Sequence, residues 1–500
     1  MESKAPGLRQ RMAGLHVWAG VLAGWLLYAI FITGGISYFR EELTQWLRPE
    51  LPARPAVLDQ AAAAQHALAT LAREAAGADR WQFDLPGPRN NVIEASWEHG
   101  ADGDRERVLL SPVDGAVLHP RATHGGEFFY YFHFSLHYLP GTLGRWIVGL
   151  CAMMALVVLV SGVIVHRRIF SDFFTFRPGK GQRSWLDAHN VSSVLGLPFY
   201  VMIVYTGLVT LMLTYLPWGA LAVFGQQQAR PAMAQAMQAR FDTPARSGVA
   251  APPAALAPLM AQAGARWGAG NIGRVIVTHP GDAASRVAIV RGDGGRISVA
   301  PAYLLFDGAS GALLAERAQS GPALTTWGTA YGLHLGRYAD PVLRWLYFFS
   351  SMLGAAMVAT GLVLWTVKRR TKPGASLAWL RFTQAGNAAC VAGLITAVAG
   401  FLLANRLLPL DLAERAQWEV HGLFLCWAAT AVYAAWRGGA AAWRTLWWLA
   451  AALWCALPVF DACLVGLPQR ALFIGFDSAF AATGLLCLYL GCRMPVATRQ

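Results

Sequence analysis

Charge is scarce in this chain, and acid most of all. Only 28 Asp and Glu stand against 41 Lys and Arg in 500 residues, and charged types together make up 14 %. With 55 % apolar residues and a mean hydropathy of +0.39, the two to four soluble domains that this length would otherwise suggest are excluded. Cysteine is missing from the long connections. Cys151, Cys390, Cys426, Cys455, Cys463, Cys487 and Cys492 all fall in or beside apolar runs, so no disulfide framework is expected. No Cys-x-x-Cys-His occurs, which excludes the usual covalent haem attachment. Gly179-Lys180-Gly181 is too short for a phosphate loop, and no Gly-x-Gly-x-x-Gly follows a strand. The chain therefore has no nicotinamide or flavin domain of its own. Paired carboxylates and nucleophilic triads are lacking too, which removes hydrolysis.

What the chain has instead is apolar runs of bilayer length. Eight are predicted, at roughly 13–38, 143–166, 188–214, 342–366, 386–404, 420–436, 445–467 and 470–491, with the sixth short and rich in Ala and Trp. The net charge of +13 is distributed as a membrane protein requires, not as a nucleic-acid surface. Lys4, Arg9 and Arg11 precede the first run. Arg167, Arg168, Arg177, Lys180 and Arg183 fill the second connection, and Lys368, Arg369, Arg370, Lys372 and Arg381 the fourth; Arg437 and Arg444 flank the sixth run. Every second connection is basic, so the positive-inside rule places both termini in the cytoplasm and the long loops 40–142 and 215–341 outside. The first run has the length of a retained signal anchor, with no small-residue cleavage site after it.

The first 370 or so residues repeat once. Each half runs helix, outward domain, helix. In the first outward domain, Leu58–Ala75 reads as a helix, with strands near Trp81–Leu85, Val92–Trp97 and Arg107–Ser111. In the second, Pro253–Arg266 is the helix, with strands near Arg274–Thr278, Arg286–Arg291 and Ala302–Phe306. Ser111–Leu118 and Asp307–Leu314 are matching turn signals, where glycine permits a positive φ. Arg48–Val57 and Thr243–Pro258 read as linkers. Residues 386–500 form a separate four-helix unit without an outward domain.

Four histidines follow the same duplication. His16 opens Leu15–Phe39 and His189 opens Ala188–Leu213; laid together without a gap, the segments also align Thr33-Gly34 with Thr206-Gly207. His137 and His334, each preceded by Leu, stand ahead of the second and fourth runs. The topology puts His16 and His189 at the cytoplasmic level and His137 and His334 at the outward level. Two imidazoles from different helices can clasp one haem non-covalently, so the pattern predicts two bis-histidine b-type haems. Polar side chains in membrane segments are expensive and tend to be functional. Arg145 and Arg344, each followed by Trp, recur beyond the outward pair and are candidates for the haem propionates; Arg9, Arg11 and Arg183 are candidates on the cytoplasmic side.

The remaining histidines divide by place. His166 ends the second run where the repeat has Trp365, and would serve as an alternative axial ligand or a propionate partner. His133 is a rival to His137 four residues earlier. His421 stands alone in the tail, and His66, His99, His119, His124 and His279 read as surface residues. The aromatic run Phe128–Phe134 suits a membrane-interface belt, or a wall around an outer cofactor or substrate.

Leu15-His16 with Thr33-Gly34, Phe39-Arg40-Glu41-Glu42-Leu43, Leu136-His137, the helix-end glycines Gly162 and Gly361 and the two turns together resemble the PepSY-associated transmembrane family over about residues 8–372. That family includes inner-membrane ferric-siderophore reductases. With the eight apolar runs, the resemblance implies a membrane all-α helical bundle of about eight transmembrane helices, internally duplicated over its first four, with two small α+β PepSY-like periplasmic domains. The corresponding boundaries are 1–41 for the first helix, 42–142 for the first periplasmic domain and 143–214 for helices two and three. Next come 215–341 for the second periplasmic domain, 342–372 for helix four and 386–500 for a four-helix extension beyond the short members of the family. It further implies a haem-dependent oxidoreductase of the bacterial inner membrane, taking electrons from a separate donor to a ferric siderophore and releasing Fe(II). Carried over by position, His16 and His189 hold the inner haem, and His137 and His334 the outer one. The rival readings are a metal or metal-chelate permease using the same histidines, and a non-catalytic membrane scaffold.

Overall fold

The computed structural model describes residues 7–53, 59–100, 104–166, 175–318, 320–370, 373–374, 376–467 and 470–494. Lys4, Arg167, Arg168 and Lys372 of the basic connections, linker residues 54–57 and Leu58 lie outside them. The chain forms two compact units: Met1–Arg48 with Ala122–Tyr215 and Pro341–Gln500, and Pro49–Arg121 with Leu216–Asp340.

The first unit holds, among the described residues, seven helices long and apolar enough to cross a membrane: Leu8–Ser37, Gly141–Val165, Gln182–Thr210, Pro341–Arg370, Leu377–Leu407, Gly439–Leu464 and Ala471–Arg493. They are called the first to seventh membrane helices below. This is one fewer than the sequence predicts. The run 420–436 does form a helix, Arg415–Arg437, but its opening turns carry Arg415, Glu419 and His421, which lowers its apolarity. The 30-residue first helix is about 45 Å long, more than the ~30 Å hydrocarbon core.

The tail is joined to the duplicated half by polar bonds as well as by packing. Asn387 of the fifth helix accepts from Trp25 Nε1 at 2.8 Å and donates to the Leu362 carbonyl at 3.1 Å, bridging the first and fourth helices. Just beyond it the fifth helix widens into a π-turn, Ala389–Gly393. The carbonyls there are taken up by Trp427 Nε1 at 2.9 Å and by Tyr28 Oη at 3.3 Å, so the loosened turn leaves no orphan acceptor at those positions.

The second unit contains none of the seven helices. Its strands are β1 (Arg80–Asp84), β2 (Ile93–Glu98), β3 (Arg105–Leu110), β4 (Val117–Leu118), β5 (Ile272–Thr278), β6 (Arg286–Arg291), β7 (Tyr303–Asp307) and β8 (Leu313–Arg317). Six of these fall within a residue or two of the strands predicted; β4 and β8, which follow the two glycine turns, are additional. Where the sequence suggests two separate small domains, however, the structure has one antiparallel eight-stranded sheet in the order β4-β3-β2-β1-β5-β6-β7-β8. The seam is β1 against β5, pairing Phe83 with Val275 and Asp84 with Arg274; Arg274 Nε reaches Asp84 at 2.6 Å across it. Left apart, β1 and β5 would each be an open edge; paired, they become the sheet's centre. Helices Gln60–Glu74 and Leu256–Trp267 supply Ala63, Ala67, Leu71, Leu259 and Ala263 to the core formed with Phe83, Ile93, Val275, Ile289 and Phe306. Gly115 and Gly311 take φ of 72° and 73° at the predicted turns.

Candidate functional site

His16 and His189 face one another in the first unit. Their ring centres are 6.3 Å apart, with planes turned by 75°. His16 Nδ1 lies 2.9 Å from the Val158 carbonyl of the second membrane helix, and His189 Nδ1 lies 2.9 Å from the Met357 carbonyl of the fourth. A carbonyl can only accept, so Nδ1 carries the proton on both rings and Nε2 keeps the lone pair that a metal requires. Four residues after each carbonyl comes a glycine. A Cβ on Gly162 would meet His16 Cε1 at 3.1 Å, and one on Gly361 would meet His189 Cε1 at 3.1 Å. Each imidazole thus lies in a notch that a side chain would begin to fill.

The two rings line a cavity of about 480 Å³ bounded by the first four membrane helices. Its wall is apolar, with Leu27, Phe31, Val158, Val204 and Leu362 among the lining residues. Gly196 lets the Tyr200 ring fold back along its own helix, since a Cβ there would stand 2.2 Å from that ring. Tyr200 Oη donates to the Ser192 carbonyl at 3.0 Å, which fixes the ring in the cavity wall. A bis-histidine group fits these residues. Two imidazoles bound through Nε2 at roughly 2 Å, the usual metal–imidazole length, have centres about 6 Å apart, as here.

His166 caps the second helix and lines the same cavity, as does Trp365, its counterpart in the repeat. Lys368 and Arg369 line it as well, with the Arg369 guanidinium 4.3 Å from the Trp365 ring centre. Among the described residues these are the lysine and arginine side chains that line the cavity, rather than the cytoplasmic candidates Arg9, Arg11 and Arg183. Arg9 donates instead to the Val165 carbonyl at 2.9 Å. Of the outward arginines, Arg344 is paired with Glu42 at 2.6 Å, and Arg145 reaches Ser135 Oγ at 3.4 Å.

A third imidazole repeats the notch. His133 Nδ1 is 2.8 Å from the Ile30 carbonyl, and a Cβ on Gly34, four residues on, would lie 2.7 Å from the His133 ring. His137 has no such notch. Its ring stacks on Phe424 at 5.7 Å, and its Nε2 is 3.2 Å from the Gln417 amide nitrogen. His334 sits near the end of the helix Pro322–Leu335, in the other unit. The histidine the sequence ranked second thus has the geometry of the inner ligands. The signal was present in the spacing: Gly34, like Gly162 and Gly361, stands four residues past the accepting carbonyl.

The tail contributes buried charge that the sequence reading passed over. Arg406 pairs with Asp461 at 2.6 Å, donates to the Trp46 carbonyl at 2.7 Å and stacks on the Trp46 ring at 3.7 Å. Arg415 pairs with Glu419 at 2.6 Å and donates to the Ala122 carbonyl at 2.8 Å; Thr123 donates to the same carboxylate. Trp46 and Ala122 flank the first excursion of the chain out of this unit, so two tail arginines hold both of its ends.

Helices long and apolar enough to span a bilayer, with two imidazoles facing one another among the first four, define a multi-pass membrane protein. The chain belongs to the PepSY-associated transmembrane family, whose PepSY-associated TM region matches residues 13–368. It is 29 % identical over 319 residues to an uncharacterized protein of Pseudomonas aeruginosa, covering 59 % of this chain and 76 % of that protein.

Proposed function

We propose that the protein is a b-type haem reductase of the bacterial inner membrane, with the Arg415–Arg437 helix crossing as an eighth span, both termini cytoplasmic and the sheet-bearing unit periplasmic. It takes electrons from a separate donor, cytoplasmic or within the membrane, to a ferric siderophore or similar chelate. The observation that carries this reading is the facing of His16 and His189 at 6.3 Å, each with its proton fixed on the nitrogen turned away from a potential metal. A haem held between them supplies reversible one-electron exchange. The carbonyls of Val158 and Met357 fix ring orientation and tautomer, and the apolar wall excludes water. Lys368 and Arg369 offer positive charge to the carboxylates of a tetrapyrrole. On the outward side His133, with its matching notch, is the ligand that the membrane unit offers to a second haem, in the role the sequence gave to His137. One electron lost by the donor converts Fe(III) of the chelate to Fe(II), which oxygen ligands hold less tightly, so the metal is released.

The permease reading predicts helices broken at the bilayer midplane. The third membrane helix instead runs through Pro198 from Gln182 to Thr210.

The test is the visible spectrum of protein purified after haem-replete expression, oxidised and then reduced with dithionite. Sharp b-type bands are expected, lost from the inner centre in His16→Ala and His189→Ala. A colourless wild type would sink the proposal, and so would unchanged spectra in both variants.

A further inference from the structure

Imidazoles that the proposed haem site leaves unused gather around the opening turns of the Arg415–Arg437 helix. Gln417 stands one turn before His421 on that helix. Its carboxamide oxygen lies 3.3 Å from His124 Nε2, and its nitrogen lies 3.2 Å from His137 Nε2. An amide nitrogen donates, so His137 presents its lone pair to Gln417. Tyr138 Oη bonds to His421 Nδ1, and the Tyr138 and His421 rings stack at 5.8 Å. One carboxamide therefore fills the space between two imidazole nitrogens, with a third imidazole beside it.

Three further facts bear on what the cluster does. First, Leu136 and Tyr138, on either side of His137, have φ of 59° and 61°, and Glu414, at the start of the helix, has φ of 52°. These are three of the four non-glycine residues with left-handed φ among the described residues. Such conformations persist where the surroundings enforce them, and they cluster at functional sites. Second, because His137 Nε2 accepts from the Gln417 amide nitrogen, the ring holds there an unprotonated nitrogen of the kind a metal ligand requires. Third, the cluster is open to solvent: His124 is exposed, and Tyr138 and Trp418 are 57 % and 45 % exposed.

We propose that His124, His137 and His421 form a site for a divalent first-row transition-metal ion, which enters by displacing the Gln417 side chain. With the carboxamide in place, no three His, Cys, Asp or Glu stand at metal-holding distance among the described residues; its departure lets the imidazoles close on the ion. Imidazole suits zinc, copper, nickel and ferrous iron, whereas magnesium and calcium want oxygen donors. Glu419, two residues after Gln417 on the same helix, is taken up by Arg415, Asn405 and Thr123. The inference does not rest on the haem reading.

The experiment uses tag-free, full-length, metal-stripped protein in detergent, titrated with Zn²⁺ by calorimetry and with Cu²⁺ by electron paramagnetic resonance. One ion per chain is expected, with coupling of Cu²⁺ to at least two nitrogens. His137→Ala and His421→Ala should each weaken binding by roughly tenfold or more, and the exposed His124→Gln should weaken it too, with less risk to folding. Gln417→Ala should bind as well as or better than wild type, which a merely structural cluster would not do. A thousandfold excess of Mg²⁺ should not compete. Absence of micromolar binding, or binding indifferent to all three histidine changes, would overturn the site. The His16→Ala variant, which tests the haem reading, should bind Zn²⁺ unchanged, so the two proposals fail separately.

Discussion

The duplicated half of the membrane unit and its tail treat buried polarity in opposite ways. Between the first four membrane helices, His16 and His189 each use one nitrogen on a backbone carbonyl and turn toward an apolar cavity. In the tail the interior is closed: Arg406, Asp461, Arg415 and Glu419 have side chains no more than 1 % exposed and bind one another, neighbouring carbonyls and Asn405. One region keeps a lone pair available toward a cavity; the other turns its charges on one another, with Arg415 Nε and Asp461 Oδ2 left buried without a hydrogen-bond partner among the described residues. The first arrangement suits a ligand that arrives from outside. The second suits the fixing of Trp46 and Ala122, where the chain leaves and rejoins the unit.

If that contrast is right, the largest stability change belongs to the tail. Arg415→Leu strands the Glu419 carboxylate, and losing one partner of a buried pair costs about 3–5 kcal/mol. Thermal unfolding in detergent should register it, and Arg415→Met combined with Glu419→Leu should recover much of it; a single variant within 1 kcal/mol of wild type by that assay would break the comparison. Asn387→Ala removes a donor and an acceptor between the two regions and should cost about 1–3 kcal/mol. Its haem bands should stay where they are, because Asn387 does not line the cavity; a shifted spectrum would mean that the tail does tune the site.

Gly361→Ala tests the notch itself. Its methyl would press on His189 Cε1, and the expected outcome is a shifted reduction potential with little change in melting temperature. A potential identical to wild type would argue that the ring has room to spare. The smallest effect is expected in the sheet-bearing unit. There the Asp282 carboxylate accepts from Ser247 Oγ at 2.7 Å and from the amides of Ser247, Gly248 and Ala284, and its pKa is lowered, the Ser247 hydroxyl being the main cause. A depressed carboxylate adds stability that is fully present above its unfolded value of about 4 and is lost as pH falls through the folded value. Asp282→Asn should therefore lower stability at neutral pH and flatten the acid side of the unit's pH–stability curve, followed by tryptophan fluorescence, with variant and wild type converging as pH falls. A deficit as large at low pH as at neutral pH would contradict it.

The sequence was most readable where a pattern is local. The alternation of Arg286–Arg291 and the glycine turns near Gly115 and Gly311 gave strands and hairpins that the structure repeats. The His16 and His189 pair was visible because duplication writes the same residue twice. The β1–β5 seam was not, since nothing in either strand names its partner across nearly two hundred residues. Nor was the third notch: His133 lacks a histidine counterpart at a fixed offset, and only the glycine spacing marks it. The Arg415–Arg437 helix reads as a span from its Ala and Trp content but is less apolar than the other seven, because Arg415 and Glu419 in its opening turns form one of the tail's ion pairs.

The seam has a consequence for how the molecule is made. β1 ends at Asp84, but the strand that completes it begins only at Ile272. A ribosome must finish two further membrane crossings before that second strand exists. During this interval the newborn front half carries a naked sheet edge, the surface most prone to pairing with a stranger. Folding of the sheet is thereby tied to the order of synthesis, and a pause in translation between the halves would lengthen the exposure.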